Sequence, residues 1–160
     1  MNFQASLDKT AKVTTFLVTI LFIGIIVYGF SSDSTPKSMI YTAGSLVLVY
    51  VICWLLSPLS YTVTNTELQI KRPLGKIIIK KEDIKSVDVL QKSEIGGAIR
   101  TFGVGGLFGY YGKYFNQAFG SMSWYMTRSD KPVLITTQKS KILVSPDETD
   151  RFAEILRKIN

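Results

Sequence analysis

The spacing of apolar residues divides the chain into two long uncharged runs and a following region of short alternating segments. Val13 to Phe30 is a run of eighteen residues without a charge, and Met39 to Leu59 is a second of twenty-one. At about 1.5 Å per helical residue the first run spans roughly 27 Å, close to the hydrocarbon thickness of a bilayer. Both runs predict transmembrane helices. A cleaved secretory signal is the rival reading for the first run, which follows Lys9 and Lys12. The run is longer than a signal core, however, and Tyr28 and Phe30 stand where cleavage needs small residues. Neither run keeps the polar stripe of a buried helix in a soluble bundle. Only Ser31 to Ser38, carrying Asp33 and Lys37, joins the two, so the pattern predicts a tight antiparallel hairpin with both ends on one side.

From Ser60 the period shortens. Tyr61-Thr62-Val63, Glu67 to Lys71, Lys76 to Lys80 and Ser86 to Val89 read as strands, with Pro73-Leu74-Gly75 as a turn and Lys81-Glu82-Asp83 as a single helical turn. Met122 to Met126, Pro132 to Thr136 and Lys141 to Val144 bring the expected strands to seven. The chain then returns to a helical period, with Phe152, Ile155, Leu156 and Ile159 at i, i+3, i+4 and i+7. Ser145 is the expected N-cap, with Pro146 at the first helical position and Glu148 three after the cap. Asp147 and Asp150 lie toward the positive end of the helix dipole, and Arg157 and Lys158 toward the negative end.

Composition narrows the chemistry. There is no histidine, and the single Cys53 lies inside the second apolar run. That excludes Cys/His zinc sites, Ser-His-Asp and Cys-His nucleophile systems and an internal disulfide. No cofactor or metal is expected. An unfamiliar enzyme using carboxylates such as Asp83, Asp88 or Glu94 finds no support in their spacing. From Ser60 onward sixteen Lys and Arg face ten Asp and Glu, a net charge of +6. With Lys9 and Lys12 before the first run and Lys71, Arg72, Lys76, Lys80 and Lys81 after the second, the positive-inside bias predicts both termini in the cytoplasm. Lys71, Arg72 and Lys76 are the expected headgroup neighbours, drawn to anionic lipid by about 1 kcal/mol per basic residue. Nucleic acid is not an expected partner, because the basic residues are dispersed and no nucleic-acid motif is present.

The densest signal is Arg100 to Tyr125, which holds nine aromatic residues and six of the chain's twelve glycines. Gly103-Val104-Gly105-Gly106-Leu107-Phe108-Gly109 misses the Rossmann spacing at Phe108 and lacks the Gly-Lys-Ser/Thr of a Walker loop. The segment reads instead as an insertion, about 96–120, that forms a contact surface. Arg100, Phe102, Phe108, Tyr110, Tyr111, Lys113, Tyr114 and Phe115 are its candidate contact residues. The phenylalanines are expected to anchor it, Arg100 to hold loop carbonyls, and the tyrosines to face a partner or lipid, with the hydroxyl wet and the ring buried. Whether the partner is lipid, another protein or a second copy of the chain, the residues leave open.

Local sequence carries a resemblance. A two-span hairpin, then Tyr61-Thr62-Val63-Thr64-Asn65-Thr66-Glu67-Leu68, then Ile99-Arg100-Thr101-Phe102-Gly103 with Gly105-Gly106-Leu107-Phe108-Gly109-Tyr110, then Val144-Ser145-Pro146-Asp147 is similar to the bacterial PH-like (pleckstrin-homology-like) domain membrane proteins. The resemblance implies a transmembrane hairpin (1–59) followed by a cytoplasmic PH-like domain (60–160). That domain would be a bent seven-stranded antiparallel sheet or barrel closed by a C-terminal amphipathic helix. It implies a bacterial inner-membrane location and a binding or scaffolding role without catalysis. Phosphoinositide binding is not implied, because Lys71-Arg72-Pro73-Leu74-Gly75-Lys76 lacks the basic spacing of that ligand's hairpin.

Overall fold

The computed structural model describes residues 1–31 and 37–158; Asp33 of the expected hairpin loop and Ile159 of the expected helical stripe lie outside the described residues. Helices α1 (Lys9–Phe30) and α2 (Lys37–Leu56) are long and apolar enough to cross a membrane. Only Ala11 on the first and Ala43 on the second are buried, whereas Phe16, Leu21, Ile23 and Leu48 are each more than half exposed. The pair touch through Thr19 and Tyr50, whose hydroxyls lie 2.6 Å apart.

The remaining chain forms two packed sheets. The first has the order β1 (Asn2–Gln4), β2 (Ser60–Val63), β3 (Glu67–Lys71), β4 (Lys76–Lys80), all antiparallel. A single 3₁₀ turn at Lys81–Asp83 then leads into the second sheet. Its strands are β5 (Ile84–Val89), β6 (Ile99–Gly105), β7 (Tyr110–Asn116), β8 (Gly120–Met126), β9 (Val133–Thr137) and β10 (Lys141–Val144). In space they run β5-β9-β10-β8-β7-β6, with β10 and β8 parallel and the other neighbours antiparallel.

All seven expected strands are present, and three more accompany them. β1 was not foreseen because three residues carry too little alternation. Phe3 pairs with Tyr61 and is buried, so the first residues of the chain complete the sheet that begins after α2. β6 and β7 fall where an insertion was expected. They are strands of the second sheet, extending it beyond β8 on the side away from β5. The expectation of one bent seven-stranded sheet or barrel is corrected accordingly: ten strands lie in two sheets, and no closed barrel forms among the described residues.

The main core lies between the sheets, and α3 (Thr149–Lys158) closes one end of it. Phe152 is fully buried and meets Phe3 edge-on at 5.2 Å between ring centroids. Covering such a side chain contributes about 1.5–3 kcal/mol. A second cluster covers the opposite face of β7 and β8, where Leu90 and Ile95 pack with Tyr114, Met122, Trp124 and Met126. The expected N-cap is corrected as well. Fully buried Ser145 accepts hydrogen bonds from the backbone N–H groups of Thr127 (2.8 Å) and Arg128 (3.2 Å), so its oxygen is committed to the end of β8. The helix starts later, at Thr149, whose hydroxyl donates to the Pro146 carbonyl at 2.9 Å.

Candidate functional site

The hairpin of β6 and β7 exists because glycine stands on both strands where they pass closest. Gly103 and Gly112 are cross-strand partners with φ of +120° and +128°, and a Cβ on either would lie 2.2 Å from backbone oxygen of the other strand. No side chain fits there, and the backbone conformation is one that glycine adopts without steric cost. At the tip, the Gly106 N–H donates to the Gly109 carbonyl at 2.8 Å.

That tip is docked on the helices. The Phe108 N–H donates to Thr15 Oγ1 at 3.0 Å, and the Phe108 ring meets Tyr50 edge-on at 5.0 Å. Tyr110 donates its hydroxyl proton to both carboxylate oxygens of Asp8, at 3.2 and 3.3 Å. The same carboxylate caps α1 by accepting from Ala11 N–H at 2.7 Å, and it takes the Ser129 N–H and hydroxyl at 3.2 and 3.3 Å. Burial, reinforced by the Asp8 charge, pushes the Tyr110 hydroxyl up to about 12.

The end of α2 is held in the same way. A helix leaves its last carbonyls without partners, and here the rest of the chain supplies them. Tyr111 donates its hydroxyl to the Cys53 carbonyl, Leu74 N–H reaches the Leu55 carbonyl at 2.9 Å, and Ser57 bonds the Trp54 carbonyl through N–H and hydroxyl at 3.2 and 2.8 Å. Tyr111 is only 4 % exposed, and burial raises its pKa. The β3–β4 turn carrying Arg72 and Leu74 therefore sits at the foot of α2.

Each expected contact residue has a definite place. Tyr114 lies in the second core cluster, stacked on Trp124 at 3.9 Å with its hydroxyl donating to the Val104 carbonyl at 2.8 Å. Burial raises its pKa, and the neighbouring Arg100 guanidinium offsets part of that rise. Arg100 packs over Gly105, where a Cβ would lie 2.8 Å from its guanidinium. Lys113 donates to Ser123 Oγ at 2.7 Å. Phe102 is 79 % exposed and Phe115 is 46 % exposed. The expected division of labour is thus reversed for these aromatics: Tyr110, Tyr111 and Tyr114 spend their hydroxyls inside the chain, whereas Phe102 and Phe115 face outward.

Pairing of Phe102 with Lys113 and of Val104 with Tyr111 places these four side chains on one face. That face continues the inner face of the sandwich, but the first sheet has two strands fewer and does not cover it. Instead it turns toward the foot of α2. Between them lies an open, mainly apolar cleft of about 390 Å³, walled by Ile52, Leu56, Phe102 and Val104, floored by Tyr111 against Cys53, and flanked by Arg72 and Lys113. Arg72 Nε is buried without a hydrogen-bond partner among the described residues. Lys71 and Lys76, paired across β3 and β4, stand beside the same turn and are exposed. The structure therefore brings Phe102, Tyr111, Lys113 and Arg72 together, and leaves Phe115 and the buried Tyr114 outside the group.

Ile52, Leu56 and Asp8 were not singled out from sequence. Asp8 carried a signal, being a preferred N-cap type directly before the first helix. Ile52 and Leu56 are indistinguishable in sequence from other residues of the apolar run.

No curated protein and no solved structure shows significant similarity to the chain. Residues 59–160 match the family described as Bacterial PH domain. The matched segment takes in nine of the ten strands and α3, so that more than half of the chain lies within it, and the chain belongs to the bacterial PH domain family.

Proposed function

We propose that this protein is a membrane-tethered binding module. It is inserted by α1 and α2 in the bacterial cytoplasmic membrane with both termini in the cytoplasm, and the bared face of the β6–β7 hairpin is its recognition surface. PH domains are generally non-catalytic binding modules, which fits a chain without histidine. The observation that carries the reading is the cleft at the foot of α2, where the wider sheet overhangs the narrower one. A helix pair with almost no covered side chains needs lipid around it, since exposed apolar area on this scale does not survive in water. Because Asp8 and Leu55 are both held by the sheets, the cleft stands at the membrane surface once the helices are inserted.

A photoreactive side chain placed at Phe102 in isolated native membranes tests this. It should give adducts with a membrane component, whereas the same group at Lys85, on the opposite edge strand, should not. Equal labelling at both positions, or none at Phe102, would sink the reading.

A second reading has its own support. β6 is an edge strand of seven residues with its outer edge unpaired among the described residues and Ile99 67 % exposed, which suits pairing with a second copy of the chain. A cysteine at Thr101 should then cross-link two chains, and a monomer throughout would exclude that arrangement.

A further inference from the structure

We infer that the cleft between α2 and the β6–β7 hairpin holds one anionic phospholipid, its phosphate between Arg72 and Lys113 and its acyl portion against Ile52, Leu56 and Phe102. The inference rests on the reading of this face as a binding surface and names its occupant. Three observations converge on it.

One wall of the cleft is the last turns of α2 itself, so a chain lying along that helix enters the cleft without leaving apolar surroundings. The flanking groups are both cationic. Neither Arg72 nor Lys113 forms an ion pair with a carboxylate among the described residues, whereas Arg128, Lys131, Arg151 and Lys158 do. Finally, Arg72 Nε is buried and lacks a hydrogen-bond acceptor among the described residues, and a phosphate oxygen is the kind of acceptor that a guanidinium takes well. Lys113 spends one of its three protons on Ser123 and keeps two for a ligand. A mainly apolar slot with cations at its rim matches a molecule with a hydrocarbon part and an anionic head. It does not match a free anion, which has no use for Ile52 or Phe102.

The test uses the full chain in nanodiscs of phosphatidylcholine and phosphatidylglycerol in equal amounts. Native mass spectrometry then follows the lipid that stays bound after transfer to detergent. The wild-type protein should retain one phosphatidylglycerol in preference to phosphatidylcholine. The R72Q/K113Q variant should lose that retention by about thirtyfold, each basic residue near a headgroup contributing a factor of about five. A K85Q/K92Q variant removes the same charge from β5 and the segment after it, and it should retain lipid as the wild type does. Thermal unfolding of each variant verifies folding, and L56S gives a second test from the apolar side, with loss of retention expected.

Equal retention of both lipids, unchanged retention in R72Q/K113Q, or equal loss in K85Q/K92Q would overturn the inference. So would displacement of the lipid by millimolar glycerol phosphate, since that would make the site one for a soluble anion. Protein adducts at position 102 with no retained lipid would sink the lipid assignment and leave the binding-module reading standing.

Discussion

Replacing Asp8 with alanine removes the acceptor for four donors at once: Ala11 N–H, the Tyr110 hydroxyl, and the N–H and hydroxyl of Ser129. The first of these is the cap of α1, and losing an N-cap costs about 1 kcal/mol. The other three join the helix to β7 and to the turn after β8. Their geometry is looser, at 3.2 to 3.3 Å, so together they are expected to add about 1–2 kcal/mol. The sum, about 2–3 kcal/mol, corresponds to a drop in Tm of about 5–10 °C for a chain of this size. The assay is thermal unfolding of the full chain in detergent, with D8N beside D8A. Asparagine still caps α1, so D8N should recover about half of the loss. A double-mutant cycle of D8A with Y110F isolates the link between helix and hairpin, and a coupling of at least 0.5 kcal/mol is expected for groups in contact. A D8A protein within 2 °C of the wild type, or zero coupling to Tyr110, would refute the idea that this carboxylate fastens the helices to the sheets.

Gly112→Ala should be far more damaging, because its Cβ would meet the Phe102 carbonyl at 2.2 Å in a left-handed backbone conformation; a loss above about 4 kcal/mol, or failure to fold, is expected in the same melts. Tyr111→Phe leaves the ring in place but strands the Cys53 carbonyl, at a cost of about 1 kcal/mol, and hydrogen exchange should quicken at the last turn of α2. Tyr61 is fully buried, and burial raises its hydroxyl from 10 to about 12. A group held neutral in the fold gives its full stability below pH 10 and loses it as pH rises toward 12, by about 1.4 kcal/mol per pH unit. Tyr110 titrates in the same direction. Stability measured across that window should fall, and Tyr61→Phe should flatten the slope; a pH-independent Tm from 9 to 12 would contradict the burial argument.

Much of the architecture was legible in the chain's own pattern. Seven strands, the Lys81–Asp83 turn and the two apolar helices follow from local alternation, β-branched content and run length, each of which acts within a few residues. The pattern was less informative where one residue had two competing partners. Ser145 is a good N-cap by sequence, but the Thr127 and Arg128 N–H groups claim its oxygen in the folded chain. Gly103 and Gly112 read as loop residues because glycine weakens strands, yet they are what lets β6 and β7 pass so closely. Tyrosine's preference for interfaces was a sound general rule that failed for Tyr110, Tyr111 and Tyr114, since Asp8, Cys53 and Val104 lie within reach of their hydroxyls.

By itself the sequence determined the order of elements, the hydrophobic helix pair, the absence of histidine chemistry and the position of the aromatic and glycine segment. These are properties of neighbouring residues and of composition. Only the tertiary structure decided that Asn2 to Gln4 belong to the sheet built after α2, that the tyrosines face inward, and that Arg72 and Lys113, forty-one residues apart in sequence, flank one cleft with the foot of α2. The reason is physical: unpaired strand edges, orphan carbonyls at a helix end and uncovered sheet faces take partners by proximity in space. Proximity of that kind is set by the packing of the two sheets, which no short window of sequence contains.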